Sequence, residues 1–381
     1  MRILHISKYY FPYIGGVENI CKYIVDNSLE HKSAVLCFTE NRKCSIDDVN
    51  GVTIYRVGSW INIARQALSP LYFTMLKRAL KEFKPDIIHF HWANPFPAAV
   101  LLTMIPNNIK LIIHWHMDII KQAKIYPLIK PIESALLKRA DMIVVTSPQY
   151  RESSKPLQPF RDKIRVVPNA MDEKSFILRG NDLDRIDELK HLYKNKKIVF
   201  FVGRHIQYKG LPYLIDAEKL VKSDCEFVIA GSGPLTEELK KDCQSNRVHF
   251  IGHLNNDNLR CYLYAASVFA FPSISKNEAF GVALAEAMYC YTPPVTFTIE
   301  GSGVNWVNLH KVTGLEVPNR DVVKFAEAID RLLSDEKTAK EYAENAHQRV
   351  IENFTISKMM EKVNECYQEL LIKINIADSR L

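Results

Sequence analysis

The sequence predicts an α/β protein made of two doubly wound domains with parallel sheets. Three observations carry this. Short apolar runs of the kind that form buried strands alternate with helix-period runs along most of the 381 residues. The alternation stops over a charged stretch from Lys174 to Lys196 and then begins again. The length also suits two domains that each bury a core of their own. The expected layout is a first Rossmann-like domain over residues 1–178 and a second over 195–355, facing one another across a central cleft. A last amphipathic helix over 356–381 is expected to pack back on the first domain.

In the first domain the strand-like runs are Ile3 to Ser7, Ser33 to Phe38, Val52 to Val57, Asp86 to His91, Lys110 to Trp115, Met142 to Ser147 and Ile164 to Val167. Helix-like runs at Val17 to Ser28, Leu71 to Glu82 and Leu128 to Ala140 fall between them. The opening residues carry one early charge and no small-residue cleavage site, so they read as a first strand and not as a signal peptide. In the second domain the strands are Ile198 to Val202, Glu226 to Ala230, Val248 to Ile251, Val268 to Phe271, Pro294 to Phe297 and Gly314 to Val317. Helices are expected at Leu211 to Val221, Leu235 to Gln244, Asn258 to Ala265, Val282 to Tyr289, Val322 to Leu333 and Ala339 to Glu352.

Composition narrows the class. A hydrophobic fraction of 47% with 24% charged residues is that of a soluble globular protein, and no apolar run is long enough to span a bilayer. The eight cysteines are scattered without a CxxC pair, which points to free thiols in a reducing cytoplasm and away from a disulfide framework or a zinc site. Residues 1–178 hold 24 basic and 15 acidic residues, so the first half carries +9 of the net +7 and the rest −2. A basic front half favours an anionic partner such as phospholipid or a pyrophosphate-linked acceptor. Nucleic acid is disfavoured, since no recognition motif accompanies the charge. Lys121, Lys124, Lys130, Lys138 and Arg139 interleave with Ile125, Leu128 and Leu136 around one acid, Glu133. Two readings stay open for this stretch, contact with an anionic membrane surface or an ordinary solvated helix face.

The chemistry concentrates at the ends of strands. After Phe271 a loop carries Glu278 and Gly281, and a helix starting at Val282 carries Glu286. Eight residues at about 1.5 Å each span roughly 12 Å, enough for two acids to grip opposite ends of a nucleotide sugar. The first-turn amides of Phe280, Gly281 and Val282 lie between them, ready for an anion. Gly203-Arg204 and Lys209-Gly210 follow a strand, and two cations around one loop can reach a diphosphate together. Gly15-Gly16-Val17-Glu18 follows the first strand; paired glycines allow close approach to a ligand, although a dinucleotide fingerprint is lacking. His114-Trp115-His116-Met117-Asp118 ends another strand, and the two histidines are expected on opposite faces, so that at most one enters the cleft. The turns at Gly252-His253-Leu254 and Gly301-Ser302-Gly303 precede helix-like runs; His253 is either a ligand contact or part of a structural turn. Trp60, Trp92 and Trp115 either line an acceptor groove or pack.

The E-x7-E spacing of Glu278 and Glu286, the G-R-x4-K-G string from Gly203 to Gly210, the GGVE loop and the strand-end His116 together resemble the retaining glycosyltransferases of family 4, which have the GT-B fold. The resemblance runs along most of the chain. It implies transfer of a hexose-type sugar from a nucleotide diphosphate sugar to a glycan or polyprenyl-pyrophosphate-linked acceptor, with no cofactor and no metal. It assigns Glu286 to the ribose, Glu278 to sugar hydroxyls, and Arg204, Lys209 and Gly16 to the diphosphate. His116 falls beside the reacting carbon, with Asp118 to orient it. Gly252 and Leu254 pass near the base, and Ser302 and Gly303 near the phosphates. The Glu300-Gly301-Ser302-Gly303 turn departs from the commonest family pattern and resembles a subset used in surface-polysaccharide assembly. Asp47-Asp48 is expected in a turn and makes no convincing metal site. The rivals are a nucleotide-sugar epimerase or hydrolase on the same fold, and a non-catalytic sugar-nucleotide binder. A cytoplasmic protein, peripheral on the inner face of the cell membrane if the basic stretch binds lipid, is the expected setting.

Overall fold

The computed structural model describes residues 1–13, 15–63, 66–119 and 126–378, side chains at 63 and 373–378 excepted. The chain divides into two units, Met1–Val167 with Met359–Leu381, and Pro168–Lys358.

Among its described residues the first unit has the strands β1 (Arg2–Ile6), β2 (Lys32–Thr39), β3 (Ser45–Val49), β4 (Val52–Gly58), β5 (Ile61–Ile63), β6 (Gln66–Leu68), β7 (Ile87–Trp92), β8 (Lys110–Trp115), β9 (Met142–Val145) and β10 (Ile164–Val166). Eight form one sheet in the order β10-β9-β8-β7-β1-β2-β4-β3, and β5 and β6 make a separate hairpin. Only the edge strand β3 in this sheet runs antiparallel to its neighbour. Its central strands are mostly apolar, as in a parallel sheet buried on both faces, and every residue of β7 is buried, His89 and His91 included. Strand order reverses between β1 and β7, which are paired to one another. A ligand crevice is expected beyond the carboxyl ends of such a pair.

Three sequence expectations change here. Asp47 and Asp48 lie in β3 and not in a turn, because Asp47 pairs with Arg56 across the ladder at 2.5 Å. A helix at Pro95–Met104 was not foreseen: it is apolar on every side and leaves no amphipathic stripe to read. In the basic helix Tyr126–Arg139, Glu133 turns inward to the Tyr126 hydroxyl at 2.8 Å, and burial raises its pKa. Lys121, Lys124 and Ile125 of that stretch lie outside the described residues.

The second unit contributes β11 (Lys197–Val202), β12 (Cys225–Ala230), β13 (Val248–Gly252), β14 (Val268–Phe271), β15 (Pro294–Phe297) and β16 (Leu315–Val317), all parallel, in the order β13-β12-β11-β14-β15-β16. Here the order reverses between β11 and β14.

The expected linker over 174–196 is a correction. Residues Asp182–Leu192 form a helix inside the second unit, and the boundary falls at Val167/Pro168. One of the charges that suggested solvent is taken up by the fold. Asp182 is buried and takes two bonds from the Arg260 guanidinium, at 2.8 and 3.0 Å. Those bonds hold its carboxyl down to about 2. The last helix, Ile356–Asp378, joins the first unit from Met359 onward. There Tyr367 is fully buried with its hydroxyl 2.7 Å from His89 Nδ1, and Glu369 pairs with Arg165 at 2.7 Å. All eight cysteines are free thiols.

Candidate active site

At the reversal in the second unit, the loops after β11 and β14 meet. Adjacent parallel strands end side by side, so residues far apart in sequence share one rim. Gly210 sits at φ +67°, and a Cβ there would fall 1.9 Å from the Pro272 carbonyl oxygen, so only glycine fits. The Ile274 amide donates to the Tyr208 carbonyl at 3.0 Å and ties the two loops together. Across that seam Lys209 Nζ lies 2.5 Å from Glu278 Oε2, with the two side chains only 12% and 11% exposed. Ser273 Oγ donates to the same carboxylate oxygen at 3.2 Å, and the ammonium sits 5.1 Å from the centre of the Phe271 ring. Burial works against the charge on Lys209, but Glu278, Tyr208 and Glu286 together outweigh it and raise the pKa overall.

Gly281 takes a left-handed φ of +91° and starts the helix Val282–Tyr289. Among the described residues, the amides of Phe280, Gly281, Val282 and Ala283 donate to no protein acceptor. They form an open cradle at a helix N-terminus, suited to phosphate or hydroxyl oxygens. Glu286 lies one turn further along, half-buried. Desolvation raises its carboxyl to about 7; Lys209 opposes this and Asp172 adds to it. Arg204 is exposed, and its guanidinium makes no hydrogen bond or ion pair among the described residues. Lys209 therefore interacts with both Glu278 and Glu286, while the Arg204 guanidinium, on the same loop as Lys209, is unpartnered among the described residues.

The turns behind this rim have a different role from the one expected. The Ser302 amide donates to Ile299, the Gly303 amide to Ala279 at 3.0 Å, and the Val304 amide to the Ser302 hydroxyl at 3.2 Å. The Ser302 hydroxyl in turn donates to the Glu278 carbonyl. With these amides occupied, Ser302 and Gly303 brace the Glu278 loop from behind and are not open to phosphate. Gly252, at φ +72°, accepts from the Gly231 amide at 2.6 Å, and His253 beside it is exposed. Leu254 is half-buried against the core of the unit.

In the first unit Gly15 caps the helix Gly16–Asn27 and accepts from the Asn19 amide at 2.8 Å. Gly16 is exposed, with open space where a Cβ would stand. Burial raises the carboxyl of Glu18 in this loop, although its own backbone and Lys8 pull the other way. His114 and His116 share a face: their rings stack at 4.2 Å. Strand side chains alternate with a period of two, so residues two apart project together, and the expected split to opposite faces is corrected. His116 is buried, and its Nε2 lies 3.0 Å from His91 Nδ1. Asp118 Oδ1 accepts from the Trp115 indole at 2.9 Å and the Ser154 hydroxyl at 2.7 Å. Trp92 and Trp115 are buried and stack at 5.2 Å, whereas Trp60 is half-exposed.

Sequence reading passed over the largest polar feature of this unit. His5, His89, His91, His114 and His116 are all buried and form one stacked group across β1, β7 and β8. The visible signal was a histidine pair at i, i+2 in each of two neighbouring strands.

Residues 14–175 match the model of glycosyltransferase family 4, and residues 184–349 match that of glycosyl transferases group 1. The O-antigen chain mannosyltransferase C of Escherichia coli is 30% identical over 380 residues, which cover 97% of this chain and 99% of that protein. The chain belongs to the family 4 glycosyltransferases. The D-rhamnosyltransferase WbpZ of Pseudomonas aeruginosa is a further relative, 30% identical over 364 residues, covering 93% of this glycosyltransferase and 92% of its own length. Among solved structures, sucrose-phosphate synthase of Thermosynechococcus elongatus aligns with a TM-score of 0.79 at 21% identity, over 98% of this chain and 99% of that one. Anabaena Alr3699/HepE, in complex with UDP and glucose, aligns with a TM-score of 0.76 at 19% identity, over 97% and 100%. These likenesses show the GT-B fold of the glycosyltransferase. In the first unit no described helix is long and apolar enough to cross a membrane, and the same holds in the second.

Proposed function

We propose that this glycosyltransferase moves a hexose-type sugar from a nucleotide diphosphate sugar to a glycan or lipid-linked glycan, in the assembly of a cell-surface polysaccharide. The carrying observation is the rim of the second unit: a buried Lys209–Glu278 pair, an unpartnered Arg204 and four open amides. The names of the mannosyl- and rhamnosyltransferase relatives support a hexose-type donor and a polysaccharide product. In this reading Glu286 accepts from the ribose hydroxyls and Glu278 from hydroxyls of the sugar. Arg204 and Lys209 neutralise the charge that builds on the diphosphate as the bond from its oxygen to the anomeric carbon breaks. With two cations for that task, the reaction calls on no metal and no cofactor. The acceptor oxygen bonds to the same face of that carbon, its proton passes to a leaving phosphate oxygen, and the anomeric configuration is retained. Gly16 and His116 are assigned from the family pattern to the diphosphate and to the surroundings of the reacting carbon. We place the protein in the cytoplasm, in contact with the inner membrane face; Leu128, 77% exposed on a helix that also exposes Lys130 and Lys138, supports that contact.

A thermal-shift panel of UDP, GDP, dTDP and ADP sugars, run on wild type and on Glu286→Ala, tests the donor site. One nucleotide sugar should raise the melting temperature of the wild type and leave the variant unmoved. Transfer to a polyprenyl-pyrophosphate-linked glycan should then be lost in the Glu278→Ala, Arg204→Ala double variant, and full transfer by it would sink the proposal. Donor cleavage without acceptor would reveal a hydrolase, and binding without turnover a carrier.

A further inference from the structure

The buried histidine group contains more than packing requires. Two of its ring nitrogens, His5 Nε2 and His114 Nε2, are buried and meet no hydrogen-bond partner. Two contacts within it are long for hydrogen bonds: His5 Nδ1 to His91 Nε2 at 3.4 Å and His89 Nε2 to His114 Nδ1 at 3.3 Å. Metal–imidazole bonds of roughly 2.0–2.1 Å imply a tetrahedral edge of about 3.3–3.4 Å, the spacing of these nitrogen pairs. The thiol of Cys21, buried on the helix that follows β1, completes a set. His5, Cys21 and His91 each bring a ligand atom to within 4.8 Å of the other two. These three come from β1, the helix after it and β7, so the set lies at the strand reversal of the first unit.

We propose that His5, Cys21 and His91 form a binding site for a zinc-type divalent cation at the strand reversal of the first unit. Two imidazoles and a thiolate suit such an ion, and a water molecule can take the fourth position. Neutral imidazole is the ligating form of His5 and His91, and Cys21 releases its thiol proton to solvent as sulfur bonds the cation. Ligation of His91 through Nε2 keeps its proton on Nδ1, facing His116 Nε2 at 3.0 Å. His116 must then accept there and carry its own proton on Nδ1. That last consequence rests on the role assigned to His116 in transfer; the site itself does not.

The test is cobalt(II) and zinc(II) titration of the full chain, prepared without a histidine tag and stripped with a chelator. One Co2+ per chain should bind and give the thiolate charge-transfer and tetrahedral d–d absorption bands, and Zn2+ should displace it and raise the melting temperature. Cys21→Ser should lose the charge-transfer band, while Cys225→Ser, a buried thiol in the second unit, should retain it. A wild-type chain that shows no stoichiometric Co2+ band and no Zn2+-dependent stabilisation holds a metal-free imidazole stack, and the proposal fails. An unchanged band in Cys21→Ser refutes it equally. Because the wild-type titration decides alone, misfolding of a variant does not shelter the idea. Loss of sugar transfer with metal binding intact would count against the transferase reading and not against this site.

Discussion

Replacing Lys209 with methionine keeps the length of the side chain and removes its charge. Glu278 is then left with the Ser273 hydroxyl at 3.2 Å and no cation at 2.5 Å. Removing one partner of a buried ion pair costs about 3–5 kcal/mol, because the other charge stays desolvated and unpaired. With roughly a tenth of each side chain still exposed, the lower end applies, about 3 kcal/mol. In a unit of this size each kcal/mol lowers the melting temperature by about 2–4 °C, so the drop should be roughly 6–12 °C. Glu278→Gln should cost a similar amount, since it strands the ammonium. The double variant carries no buried charge and should regain at least about 2 kcal/mol relative to the sum of the two. Scanning calorimetry of all four proteins measures this coupling. Additivity of the single effects to within about 0.5 kcal/mol would show that the two groups do not hold each other, and the preorganised rim would be refuted.

The remaining predictions separate chemistry from support. Arg204→Ala removes a guanidinium with no partner among the described residues, so its melting temperature should stay within about 2 °C of wild type. Its turnover should fall by about 10²–10³-fold, measured as initial rates at saturating donor. Glu286 titrates near 7 in the folded chain against 4.5 ordinarily, so between those values the folded state holds a proton that the unfolded state has lost. Stability from this carboxyl is therefore fully present below about 4.5 and lost as pH rises from there through about 7, and Glu286→Gln should gain on wild type across that window in calorimetric scans. Donor affinity should move the other way, rising about tenfold per pH unit below 7, since the ionised form accepts the ribose hydroxyls. Gly210→Ala should cost clearly more than about 1 kcal/mol and abolish donor-induced stabilisation. Gly180→Ala, also at positive φ but facing open space, should show only the smaller strain cost in the same melt.

What the sequence discloses about this protein follows the physics of burial. Parallel strands covered on both faces are unbroken apolar runs, so β8, β14 and β15 are legible to the residue, as is the helix Val282–Tyr289 that carries Glu286. A helix apolar all round, such as Pro95–Met104, has no stripe and no period to detect. Charge misled at 182–192 because Asp182 is neutralised by Arg260, a partner that local reading cannot supply. The candidate site shows the same division. Glu278, Glu286, Arg204 and Lys209 are each visible as motif residues, but the meeting of Lys209 with the two acids depends on β11 and β14 being neighbours, a fact of strand order. Ser302 and Gly303 were read as phosphate ligands from their small size. Their amides prove to be occupied, and the same small size lets them pass close behind the Glu278 loop and brace it. A small residue next to a ligand loop thus signals close backbone approach, and only the hydrogen-bond accounting decides whether the approaching group is a phosphate or another stretch of the chain.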